Sequence, residues 1–185
     1  MILPIFAYGQ PVLKKKAADI ENNNEDLQTL IEHMWETMYN AKGIGLAAPQ
    51  IGKSIRLFLI DTVQVMEEEN LDKGIKQAFI NAEIIEEEGT PWIYEEGCLS
   101  IPDIRADVER LSKIKIKYLD IDFNEHIKEF DGINARVIQH EYDHIEGVLF
   151  TEHLKPLKKR LIKRKLDAIR KGKSFPDYPL KFPKK

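Results

Sequence analysis

The chain has 185 residues, of which 43% are hydrophobic and 32% charged, a balance that suits one globular domain and excludes a disordered chain. No apolar run is long enough to cross a bilayer, so no membrane partner is expected. A single cysteine, Cys98, excludes an intrachain disulfide and suits a reducing compartment. The opening "MILPIFAYGQPVLKKK" has a brief apolar patch and no basic leader, so no signal peptide is expected and the expected location is cytoplasmic. Net charge is −3 but unevenly spread. Between Lys155 and Lys185, thirteen Lys or Arg stand against Asp167 and Asp177, giving +11 there and −14 elsewhere. Such asymmetry points to an anionic partner for the tail.

In chain order, Leu27, Leu30, Ile31, Met34, Trp35 and Met38 recur at helical spacing. They predict an amphipathic helix from Glu25 to Ala41, stopped at Gly43. The glycine-bearing loop "KGIGLAAPQIG" follows, and then "SIRLFLIDT", whose β-branched and aromatic residues read as a strand. The polar, acidic "VQVMEEENLDKG" reads as a solvated loop, and no function attaches to Glu67–Glu69. "QAFINAEII" and "WIYEEGCLS" read as two strands separated by a turn at "EGTP".

From Lys113 to Tyr118 the sequence alternates strictly, with Ile114, Ile116 and Tyr118 on one face. With "FNEH" as a turn into "IKEF", this predicts an antiparallel hairpin with one wet face. Asp131 is positioned to cap a helix carrying Ile133, Val137, Ile138 and Ile145 and closed by Gly147. A last helical pattern runs through Leu157, Leu161, Leu166 and Ile169, expected to dock through its leucines. Strands cluster between helices instead of alternating with them, which predicts an α+β fold. Residues 1–154 are expected to form one domain, with 155–185 a basic C-terminal helix and tail packed on the same domain.

The chemistry is carried by "HEYDH" at 140–144. Ile133, Val137, His140 and His144 fall at i, i+4, i+7 and i+11, so both imidazoles continue an apolar helix face and point inward. A pair of satisfied core histidines is the bland account; the intervening Glu141 favours a metal site, with that carboxylate as general base. A third ligand must come from elsewhere. The peptidase pattern HExxHxxGxxH reaches Gly147 but ends at Phe150, which cannot ligate, and no glutamate follows Glu152. His33 and His126 read as surface residues, and His153 sits beyond the helix. Cys98, in "EEGCLS", is the better candidate: one thiolate and two imidazoles leave room for water, as catalytic metal sites require.

Taken together, "GIGLAAPQ" at 43–50, "EGCLS" at 96–100 and "HEYDH" resemble the three signature motifs of peptide deformylase, in the same order and at similar spacing. The resemblance extends from "GQPVL" near the start to the basic C-terminal helix. It implies antiparallel β-sheets enclosing a central HExxH-bearing helix, with an N-terminal helix and a C-terminal basic helix. It implies Cys98, His140 and His144 as ligands of one divalent metal ion, with Glu141 as general acid and base. Gln50 would donate its side-chain amide, and Leu99 its backbone N–H, to the oxyanion. Gly45 and Gly97 would line the groove where substrate backbone pairs as an extra strand, and Arg105 matches an arginine beyond the cysteine motif. Ile44, Ile133 and Val137 are candidates to shape a methionine pocket.

The family removes the formyl group from formylmethionine on newly made bacterial polypeptides. Its members characteristically use Fe2+, with Zn2+, Ni2+ or Co2+ able to replace it. A nascent polypeptide is then the expected partner, with ribosome contact through the basic C-terminal helix. Two other classes share some of these features. A zinc endopeptidase would share HExxH, and a structural metal module binding RNA through the tail would need a fourth ligand.

Overall fold

The computed structural model describes residues 1–22 and 26–184. A two-residue strand, β1 (Ile5–Phe6), leads through the 3-10 turn Pro11–Lys14 to helix α1 (Leu27–Asn40). The predicted start of that helix at Glu25 lies outside the described residues. Five strands then build one antiparallel meander: β2 (Gly45–Ala47), β3 (Leu57–Asp61), β4 (Lys76–Cys98), β5 (Ile101–Leu119) and β6 (Glu125–Asp131). Helix α2 (Gly132–Ile145) follows β6 directly, then α3 (Pro156–Arg170) and a short β7 (Leu180–Lys181). The expected mixed helix-and-sheet architecture with antiparallel pairing is what the chain adopts.

One correction concerns "EGTP". It is not a turn between two strands but an interior part of the 23-residue β4. Gly89 does adopt a turn-like φ of +87°, and the register against β5 shifts between Glu88 and Pro91. Sequence signals for a turn and for a bulge are the same residues, because both need positive φ or a missing donor. The true hairpin lies later, where Cys98 pairs with Ile101. Further register shifts at Ile80/Glu83 and Ile84/Glu86 bend the long β4–β5 ribbon. Along the ribbon Glu83, Glu86 and Glu88 sit opposite Lys117, Lys115 and Lys113.

The alternation expected in "KIKIKY" is realised, with Ile114, Ile116 and Tyr118 all buried. They meet Phe58, Phe79, Val137 and Ile138 in a core between the sheet and α2. A second core joins α1, through Ile31, Met34 and Met38, to Leu57 and Leu59 of β3. A third lies under α3, where Ile162 and Ile169 pack with Ile101, Ile104 and Phe150. Of the expected docking residues of α3, Leu166 and Ile169 pack there, whereas Leu157 and Leu161 are 69% and 68% exposed, a correction in which Ile162 takes their place. The acidic stretch forms the 3-10 turns Thr62–Val65 and Glu68–Lys73, the second with no buried residue. β7 pairs parallel with β1, a closure of the two chain ends that no local sequence pattern announces.

Candidate active site

Three separated stretches of chain meet beside α2. Pro49 sits in the first turn of the 3-10 segment Ala48–Ile51, which presents Gln50. The turn joining β4 to β5 presents Cys98 and Leu99, and α2 presents His140, Glu141 and His144. Asp131 stands at the N-cap of α2, although its side chain makes no capping hydrogen bond. Cys98, His140 and His144 each offer a ligand atom, and these three atoms all lie within 4.8 Å of one another. Cys98 Sγ is 3.4 Å from His144 Nε2.

The electrostatics of this trio call for a cation. Burial alone would push the Cys98 thiol up, but the His144 and His140 rings outweigh it and bring the pKa down to about 5. Burial would likewise lower His140, yet the Cys98 sulfur and the Glu96 carboxylate outweigh it and raise the ring well above its usual value. A thiolate held beside two imidazoles is a donor set that a divalent ion would take. Donor chemistry agrees: soft sulfur plus two imidazoles suits transition metals. The residues present fit a divalent metal ion.

Glu96 is the residue that sequence reasoning passed over. Its carboxylate accepts from His140 Nδ1–H at 2.8 Å, which leaves His140 Nε2 free to face the trio. It also accepts from Arg110 Nε and Nη2 at 2.8 and 3.0 Å and from Arg136 Nη1 at 2.8 Å. Burial raises the Glu96 carboxyl, but the His140 and Arg110 hydrogen bonds outweigh it and hold it well below the carboxylate range. Arg110 reaches on to Asp143 at 2.9 Å, and His153 also donates to Asp143, at 2.8 Å. The signal was available: Glu96 is the first residue of the quoted "EGCLS", and Arg136 precedes His140 by one helical turn.

Gln50 is 2% exposed and its amide orientation is fixed. Oε1 accepts from Ala47 N–H at 2.9 Å, so Nε2 turns toward Cys98 Sγ at 3.4 Å and Ser100 Oγ at 3.2 Å. Glu141 is also buried, and burial raises its carboxyl to about 7. Its Oε2 has no hydrogen-bond partner among the described residues, a costly state unless a reactant supplies one. Gly45 explains how so large a group fits: a Cβ there would lie 2.4 Å from Glu141 Oε1.

These groups open into a cleft of about 660 Å³. Ile44, Gly45, Gln50, Gly97, Cys98, Leu99, Arg105, Val137, His140 and Glu141 all line it, and His144 is buried behind. Ile133 is the exception. It packs against the Phe58–Phe79 core near the start of α2, so the structure does not bring it to the cleft. Arg136 also lines the cleft, its guanidinium 4.6 Å from the centre of the Trp92 ring. Arg105 is exposed at the rim and donates to Glu95 Oε1 at 3.0 Å.

The sequence model of the family described as Polypeptide deformylase matches residues 2–160. The chain belongs to that family. A peptide deformylase of Cytophaga hutchinsonii is 55% identical over 183 residues, covering 99% of this chain and 98% of the relative. One from Christiangramia forsetii is 53% identical, covering 99% and 97%. Among solved structures, a peptide deformylase from Legionella pneumophila superposes with a TM-score of 0.80 at 40% identity, covering 92% of this chain and 96% of that one. A plant peptide deformylase superposes with a TM-score of 0.83 at 34% identity, covering 92% and 90%. Peptide deformylases are metal-dependent hydrolases that remove the N-formyl group from N-terminal methionine, and the endopeptidase reading of HExxH is not favoured.

Proposed function

We propose that this chain hydrolyses the formyl group from formylmethionine at the start of newly made polypeptides, releasing formate, with Cys98, His140 and His144 as the metal ligands. The observation that carries the proposal is the convergence of those three donor atoms within 4.8 Å, beside a buried carboxylate. When bound, a divalent ion supplies Lewis acidity, lowering the pKa of a water toward about 7 and polarising the formyl carbonyl. Glu141 accepts the proton of the attacking water and returns it to the departing amine. The Gln50 amide and the Leu99 backbone N–H donate to the oxygen on which charge builds, each such donor being worth about 3–4 kcal/mol. Glu96 holds His140 in the tautomer that keeps Nε2 free.

Gly45 and Gly97 leave room for the substrate backbone along the cleft. Ile44 and Val137 offer apolar surface to the methionine side chain, beside the neutralised Arg136. Arg105, paired with Glu95, acts at the rim. Fe2+ is the proposed physiological metal, with Zn2+ or Ni2+ as replacements, since thiolate and imidazole accept each of them. Residues 1–154 form the catalytic domain around the HExxH helix, and the basic segment 155–185 packs on it and meets the ribosome in the cytoplasm. The excess of thirteen cations over two acids supports that contact.

The test compares formate release from a formyl-Met dipeptide with hydrolysis of its acetyl counterpart and of an internal peptide bond. Rapid release from the formyl substrate alone, abolished by a chelator and restored by Fe2+ or Ni2+, is expected. Equal cleavage of an internal bond would sink the proposal.

A further inference from the structure

The match to the family model ends at residue 160, yet part of the cleft wall comes from beyond it. After α3 the chain turns back to the body and is pinned there repeatedly. Leu180 and Lys181 pair with Ile5 and Phe6, and Gln10 Nε2 donates to the Phe182 carbonyl at 2.8 Å. Tyr178 donates its hydroxyl to the Leu99 carbonyl at 2.8 Å, and Lys42 Nζ donates to Asp177 at 2.8 Å. The segment between α3 and β7 is therefore a fixed wall facing the residue that follows Cys98.

On that wall Phe175 lines the cleft and is 89% exposed. A ring left in water contributes nothing to the core and gains only when something covers it. Among the charged groups on the rim, Lys42 is paired with Asp177 and Arg105 with Glu95, and Asp103 lines the same cleft. Val65, 44% exposed, lines the same cleft. The mouth thus presents apolar surface from Phe175 and Val65 beside these charges, while the chemistry lies deeper.

We propose that Phe175, presented by the tail and assisted by Val65, contacts apolar side chains of the formylated peptide beyond its methionine and so sets sequence preference. The inference rests on the deformylase reading and deepens it. Its test uses the metal-loaded full chain with formyl-Met-Leu-Leu and formyl-Met-Ser-Ser, comparing Phe175→Ala and Phe175→Trp with the parent. The parent prefers the leucine peptide. Phe175→Ala lowers the leucine-to-serine ratio of kcat/KM by roughly three- to tenfold, through KM, and Phe175→Trp restores it. An unchanged ratio in Phe175→Ala, or equal losses on both peptides, overturns the inference and leaves the deformylase reading intact. No formate from either peptide with the parent chain sinks that reading and this inference together.

Discussion

Helices α2 and α3 are nearly equal in length, 14 and 15 residues, yet they orient their side chains in opposite ways. α2 buries Arg136, Gln139, Glu141 and His144, the kinds of residue a helix ordinarily gives to solvent. α3 exposes Leu157 and Leu161 and buries only Ile162 and Ile169. Burying polar groups on α2 is costly unless each finds a partner: Glu96 meets Arg136 and His140, and the Leu111 carbonyl meets Gln139. Among the described residues, partners are lacking at Glu141 Oε2, Gln139 Oε1 and His144 Nδ1. The departures on α2 gather polar groups beside the cleft; those on α3 leave a surface.

The comparison sharpens most at Glu141. Glu141→Gln keeps the shape and volume of the buried side chain, so thermal unfolding and metal content by elemental analysis stay as in the parent. Formate release falls by about 10²–10⁴, the usual worth of a positioned general base. If activity survives while metal is retained, the proton is handled elsewhere and α2 buries this carboxylate for another reason.

Next comes the partner that makes the inversion tolerable. Glu96→Ala strands Arg110 and Arg136 without their shared carboxylate, and both guanidiniums are nearly inaccessible. Removing one member of such a buried network costs about 3–5 kcal/mol, because uncompensated charge is left behind. Urea unfolding measures that loss, and metal titration should reveal weaker binding as His140 loses its orienting acceptor. An effect below about 1 kcal/mol would mean that water reaches the site and shields both arginines.

How much of this was legible in the sequence follows the same divide. Periodicity found the three α-helices of the described residues, although on α3 it picked out the exposed Leu157 and Leu161 and passed over the buried Ile162. Spacing alone brought His140 and His144 to one face, and elimination of Phe150 and the other histidines led to Cys98. What periodicity cannot register is a polar residue that is inside because another element neutralises it. Glu96 and Arg136 are forty residues apart in sequence and meet only once β4 and α2 pack. The turn signal at "EGTP" misled for a related reason, since Gly89 relieves a bulge inside a ribbon whose length is set by its partner β5. Phe175 escaped notice because nothing local links the tail to Leu99.

On α3 the contrast is between neighbours. Ile162 is 5% exposed against Ile104 and Phe150, whereas Leu161 beside it is 68% exposed. Ile162→Ala should cost roughly 2–4 kcal/mol through lost transfer and the cavity left behind. Leu161→Ala should change stability by no more than about 0.5 kcal/mol. Equal losses at the two positions, measured in one urea series, would mean that α3 docks on its other face in solution.

The smallest effect is expected where α3 carries an ion pair of its own. Lys163 Nζ lies 3.2 Å from Asp167 at i, i+4, with side chains 76% and 40% exposed. In water the attraction at such a distance is only about 1 kcal/mol, and holding two long side chains in one geometry opposes it. Asp167→Asn should therefore shift stability by no more than about 0.5 kcal/mol, and less still in high salt. Both Glu96 and Asp167 are acids paired with cations, so the difference between the two substitutions isolates burial as the cause. A loss at Asp167 rivalling that at Glu96 would break the contrast between the helices, because pairing alone, without exclusion of water, would then carry the energy.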